Sequence, residues 1–113
     1  GQVASAERAR ELLNDMQDVE VVDYKLGFND KSHNFLVAPW REMPTLLDQY
    51  LGDLKNADEY GQLKERIDLI AGRLLDNNFI DVEEYNMGYD PLEKKIILFD
   101  LARMTDRSRF WVK

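Results

Sequence analysis

The sequence predicts an α+β domain from three observations. A long stripe of apolar residues at helical spacing lies between Asp58 and Asp76, a β-branched run surrounds Val19 to Val22, and a short apolar strand, Ile96 to Phe99, follows an Asp90-Pro91 turn. At 113 residues, 44% of them hydrophobic, one domain spanning 1–113 with a single core is expected.

The first helix is read from Ala9, Leu12, Leu13 and Met16, which share one face, with Ser5 as its cap. Val19, Val21 and Val22 then open an extended run that continues through Tyr24, Leu26 and Phe28 to the polar turn at 29–32. Phe35 to Ala38 forms the return strand of an antiparallel hairpin whose loop is too long for a two-residue turn, and Pro39 ends it. Pro44 suits the first turn of a second helix that buries Leu46, Leu47, Tyr50, Leu51 and Leu54. The third helix places Leu63, Ile67, Ile70, Ala71 and Leu74 on one face. Two short apolar pieces, Phe79-Ile80 and Met87 to Tyr89, precede the Asp90-Pro91 turn and the strand that ends at Asp100. The tail from Arg103 to Lys113 mixes basic residues with Phe110, Trp111 and Val112, a composition that suits a docking strand or a capping segment.

A formal charge of -7 argues against direct nucleic-acid binding, because neutralising phosphates takes a surplus of Lys and Arg. It suits a protein with basic partners. With no cysteine, disulfides and thiolate metal sites are excluded. No apolar run approaches the length of a membrane span and no leader is evident, so a cytoplasmic protein is expected. His33 reads as a solvated turn residue, and Trp40 and Trp111 as packing residues rather than ligand platforms.

The residues that carry chemistry are Asp81, Asn86 and Asp100. In Phe79-Ile80-Asp81-Val82-Glu83-Glu84-Tyr85-Asn86 an Asp precedes an Asn by five positions, and Ile96 to Asp100 adds a hydrophobic strand with an acidic end. Such oxygen donors suit magnesium, a hard cation; the same residue types also cap turns, which leaves a purely local role open for Asp81 and Asn86. The segment from Phe79 to Ala102 resembles the catalytic loop and metal-binding strand of the protein-kinase-like fold, most closely the small divergent kinases of phages and bacteria. The resemblance implies a truncated protein-kinase-like fold, with small antiparallel hairpins packed on about three helices. It also implies Mg2+ and ATP as cofactors, for phosphoryl transfer to a protein or a small molecule. Asp81 would be the catalytic base, Asn86 and Asp100 the magnesium ligands, and Ala38 and Trp40 part of the hinge beside adenine. Ser5 to Met16 would match the helix whose Glu forms an ion pair, with Glu7 or Glu11 in that place.

Phe79 stands where the family commonly has His, Glu83 where it has Lys, and Ala102 where it has Gly. The Gly-rich phosphate loop and the clamping Lys would both precede Ser5. The resemblance therefore implies a fragment lacking the phosphate-loop strands, or a stripped-down relative with weak or lost activity. The alternative is a non-catalytic acidic interaction protein, pseudokinase-like and of the viral effector kind. It would bind and inhibit or regulate a partner protein through its acidic surface or its Phe110-Trp111-Val112 tail.

Overall fold

The long apolar stripe forms helix α3 (Ala57–Leu75), and the start of that helix is set by its cap. The Asn56 side chain accepts from the Glu59 amide at 3.0 Å, filling one of the donors that a helix start leaves open. Leu63, Ile67, Ile70 and Leu74 are all buried on one face. Each fully buried aliphatic side chain contributes about 1.5–3 kcal/mol.

The computed structural model describes residues 2–22, 26–29, 34–37, 41–43, 45–99, 101 and 103–105. Within them, α1 (Gln2–Leu12) precedes β1 (Val19–Val21), β2 (Leu26–Asn29), β3 (Asn34–Val37), β4 (Arg41–Met43) and β5 (Thr45–Leu46). Helix α2 (Leu47–Asp53) and α3 follow, then a 3-10 turn at Glu84–Asn86, β6 (Met87–Asp90), β7 (Lys95–Leu98) and a second 3-10 turn at Arg103–Thr105. The architecture is α+β, with three α-helices and a four-stranded mixed sheet in the order β1-β7-β6-β5. A separate antiparallel sheet has the order β2-β3-β4.

Side chains alternate across the four-stranded sheet. Met87 and Tyr89 of β6, with Ile96 and Leu98 of β7, join the core formed with Ala9 of α1, Leu13 just after that helix, Leu47 and Leu51 of α2, and the α3 stripe. Ile97 faces the other way and packs with Val22, Phe99 and Leu46. The Asp90-Pro91 turn closes the β6–β7 hairpin as expected, with the Asp90 carboxylate accepting from the Leu92 and Glu93 amides at 3.0 and 3.1 Å.

Several boundaries differ from expectation. Ser5 lies inside α1, which begins at Gln2, so it caps nothing; its hydroxyl is buried 3.4 Å from that of Thr105. The extended run from Val19 divides between two sheets, because β1 pairs in parallel with β7 while β2 pairs with β3. The β2–β3 hairpin holds the expected antiparallel register, with Asn29 opposite Asn34 and its loop outside the described residues. Helix α2 starts at Leu47, later than Pro44 predicts, because Thr45 and Leu46 are drawn into antiparallel pairing with Tyr89 and Gly88. Leu46 consequently packs on the opposite side of the sheet from Leu47. Among the described residues no helix is long and apolar enough to cross a membrane.

Candidate functional site

The loop carrying Asp81 is fixed at its start by backbone bonds to the end of α3. Asn78 takes a left-handed conformation (φ 72°), and its amide donates to the Leu75 carbonyl at 3.4 Å while the Phe79 amide donates to the Leu74 carbonyl at 3.0 Å. This is the hydrogen-bond pattern by which a left-handed residue ends a helix, and Asn tolerates that conformation better than most residues. Phe79, 1% exposed, joins buried Leu74 in the core, and the Arg8 guanidinium sits 4.8 Å from its ring centroid. Phe79 thus anchors the loop as an apolar plug. The Ile80 amide next donates to the Met104 carbonyl at 2.6 Å, and Val82 is buried.

Between those anchors Asp81 adopts φ 55°, the left-handed region, and its polar groups are met from within the loop. Asn86 Nδ2 donates to the Asp81 carbonyl at 2.8 Å and to Asp81 Oδ2 at 3.0 Å. The Tyr85 hydroxyl donates to Asp81 Oδ1. Asn86 itself is only 6% exposed, and its amide donates to the Glu83 carbonyl at 2.9 Å. A 2.5 Å ion pair between Lys64 and Glu84 ties the 3-10 turn back to α3; its hydrogen bond holds the Glu84 carboxyl below the usual range and pushes the Lys64 ammonium up.

Asp81 and Asn86 are therefore brought together, as their spacing suggests. The Asp81 carboxylate is oriented, with acceptor capacity remaining on each oxygen. Asn86 directs its amide nitrogen inward to Asp81, and no donor among the described residues reaches its Oδ1. A buried amide oxygen without a donor is an exception to normal pairing, and an amide oxygen is a suitable ligand for magnesium. Asn86 Oδ1 is thus an oxygen of the type that could hold magnesium.

Asp100, Ala38 and Trp40 lie outside the described residues, so Asp81 and Asn86 are the only two of the five proposed site residues whose placement is described. Phe99, immediately before Asp100, is buried at the end of β7. Glu7 and Glu11 are exposed on α1. Among the described residues no three His, Cys, Asp or Glu side chains converge as a metal site. Tyr85 and Glu84 are site residues that the motif spacing did not single out. The four-residue step from Asp81 to Tyr85 was the available signal for the first, whereas the Lys64–Glu84 pair joins distant parts of the chain.

No family model, curated protein or solved structure matches this chain.

Proposed function

We propose that the chain is a protein-kinase-like domain that binds magnesium and ATP at the start of the β6–β7 hairpin. The observation that carries this reading is Asn86, buried, holding Asp81 through its nitrogen while its oxygen has no described donor. In this reading Asn86 Oδ1 and the Asp100 carboxylate hold the metal, and the Ala38 to Trp40 segment lies beside adenine. Bound magnesium supplies neutralisation of phosphate charge. Asp81, oriented by Tyr85 and Asn86, positions the attacking hydroxyl of a protein or small-molecule acceptor and accepts its proton. This reading keeps activity weak or lost unless a Gly-rich phosphate loop and a clamping Lys, which would precede Ser5, are supplied. The cytoplasm is the compartment this reading assigns.

The test is thermal unfolding with magnesium and ATP together. At a hundredfold excess over Kd the complex gains about 2.7 kcal/mol by mass action, which raises the Tm, and Asp100→Ala abolishes the rise. An unchanged Tm for the native chain at saturating magnesium-ATP would sink the nucleotide reading.

A second reading is favoured by the same loop seen from Asp81. Donors from Tyr85 and Asn86 occupy one site on each carboxylate oxygen, so the pair also works as a self-contained turn lock. In that case the domain is a non-catalytic scaffold acting through its acidic surface on a partner protein. A single stoichiometric partner, captured by a chain that shows no ATP-dependent shift, is the result that selects this reading.

A further inference from the structure

A cavity of about 320 Å³ lies between α2, α3, the β6–β7 turn and the segment leading into β1, and nothing in the kinase-like reading uses it. Its polar groups are unevenly satisfied. Arg66 donates twice to Asp18, from Nε at 2.8 Å and from Nη2 at 2.5 Å, so these two charges answer each other. The Tyr50 hydroxyl donates to Glu59 Oε2 at 2.8 Å, a bond that with burial pushes its pKa up to about 12. Among the described residues Glu59 has no basic partner, and its second carboxylate oxygen receives no hydrogen bond.

Tyr89 is the less usual member. It is 6% exposed, and its ring lies 4.6 Å from that of Tyr50 with the planes at 41°. Its hydroxyl makes no hydrogen bond with any described residue, whereas buried tyrosine hydroxyls ordinarily find a partner. Burial raises the Tyr89 pKa, and the negative charges of Glu59, Asp18 and Asp90 raise it further. The field at that hydroxyl is therefore negative and favours a positive guest. Lys94, also on the cavity wall, stands exposed in the hairpin turn, where its ammonium is free to remain in water.

We propose that this cavity binds an organic cation, a primary ammonium or guanidinium group that donates to the Tyr89 hydroxyl and the open Glu59 oxygen and lies against the Tyr50 and Tyr89 rings. Aromatic faces attract such cations, and the unpaired carboxylate supplies the counter-charge. The group can arrive on a free polyamine or on a Lys or Arg side chain of a peptide.

Isothermal titration with 1,4-diaminobutane, with spermidine and with an acetyl-Gly-Arg-Gly-amide peptide tests the assignment, with acetate as the opposite-charge control. At least one cation should saturate below a concentration on the order of 10 mM. Glu59→Gln, which keeps an acceptor for Tyr50, should weaken that binding on the order of tenfold, and Tyr89→Phe several-fold. Stronger binding of the peptide assigns a side-chain ligand, and stronger binding of the amines assigns a free polyamine; either supports the site. Saturation by acetate, no saturation by any cation, or identical affinity in both variants would overturn it. Melting each variant without ligand keeps a folding defect distinguishable from lost binding.

Discussion

The Asp81–Asn86 loop and the Tyr50–Tyr89 cavity are both polar patches beside β6, and they meet their hydrogen-bonding needs in opposite ways. In the loop the described partners of Asp81 are five residues away or fewer, Asn86 and Tyr85, while the Lys64–Glu84 pair and the Ile80 amide, which donates to Met104, reach other elements. In the cavity Asp18 is matched by Arg66 from α3 and Tyr50 of α2 by Glu59 of α3, while the Tyr89 hydroxyl has no partner among the described residues. A patch closed by neighbours in sequence sets its own geometry once its segment folds, and here only Asn86 Oδ1 is left without a described donor. A patch assembled from distant elements can retain an unmet group, and such a group is where a ligand has something to gain.

Asn86→Ala is the largest blow to this contrast. It removes both bonds to Asp81 and leaves a left-handed Asp with a half-buried carbonyl unmet, so a loss of about 2–3 kcal/mol is expected in urea unfolding. A loss below about 0.5 kcal/mol would show that the loop is held by Phe79 and Val82 alone.

Acid titration sharpens the contrast at smaller scale. Hydrogen bonding from Arg66 holds the Asp18 carboxyl below its ordinary value, and Lys64 does the same for Glu84. A depressed folded pKa contributes stability above the unfolded value, about 4, and that contribution is lost as pH falls through the folded value. Both pairs are partly exposed, which limits each to about 0.2–1 kcal/mol. Lys64→Met should flatten the acid limb contributed by the loop, and Arg66→Met the limb contributed by the cavity, each visible as a change in Tm between pH 5 and pH 2.

The smallest effect belongs to Tyr89→Phe. Removing a hydroxyl that has no partner among the described residues, from a side chain only 6% exposed, should change stability by no more than about 0.5 kcal/mol, in either direction. A loss well above 1 kcal/mol would mean that the hydroxyl has a partner in the folded chain and that the cavity is already satisfied.

How far each region could be read from the sequence follows the same division. Helix α3, its Asn56 cap and the β6–β7 turn are written in residues a few positions apart, and the pairing of Asp81 with Asn86 is too. The strand at Thr45–Leu46 is not, because Pro44 and the leucines after it read equally well as a helix start, and the pairing partner that decides the matter is Tyr89-Gly88. β-branched residues around Val19 signal extension without saying which strand they join. The cavity was invisible for the same reason: Asp18, Tyr50, Glu59, Arg66 and Tyr89 share no spacing, and only the packing of α2 and α3 against the sheet gathers them.

The parallel pairing of β1 with β7 sets an order of events. Val19 cannot meet Ile96, nor Val21 meet Leu98, until the hairpin near the far end of the chain exists to receive them. During synthesis β1 leaves the ribosome well before its partner strand β7, so among the described strands it is one of the last to be seated. The closing of that long loop is slow compared with formation of α3 or the β6–β7 hairpin. Until it closes, Val19, Val21 and Val22 remain an unpaired β-branched segment, which makes this edge the place where a stalled chain is most open to mispairing with another copy.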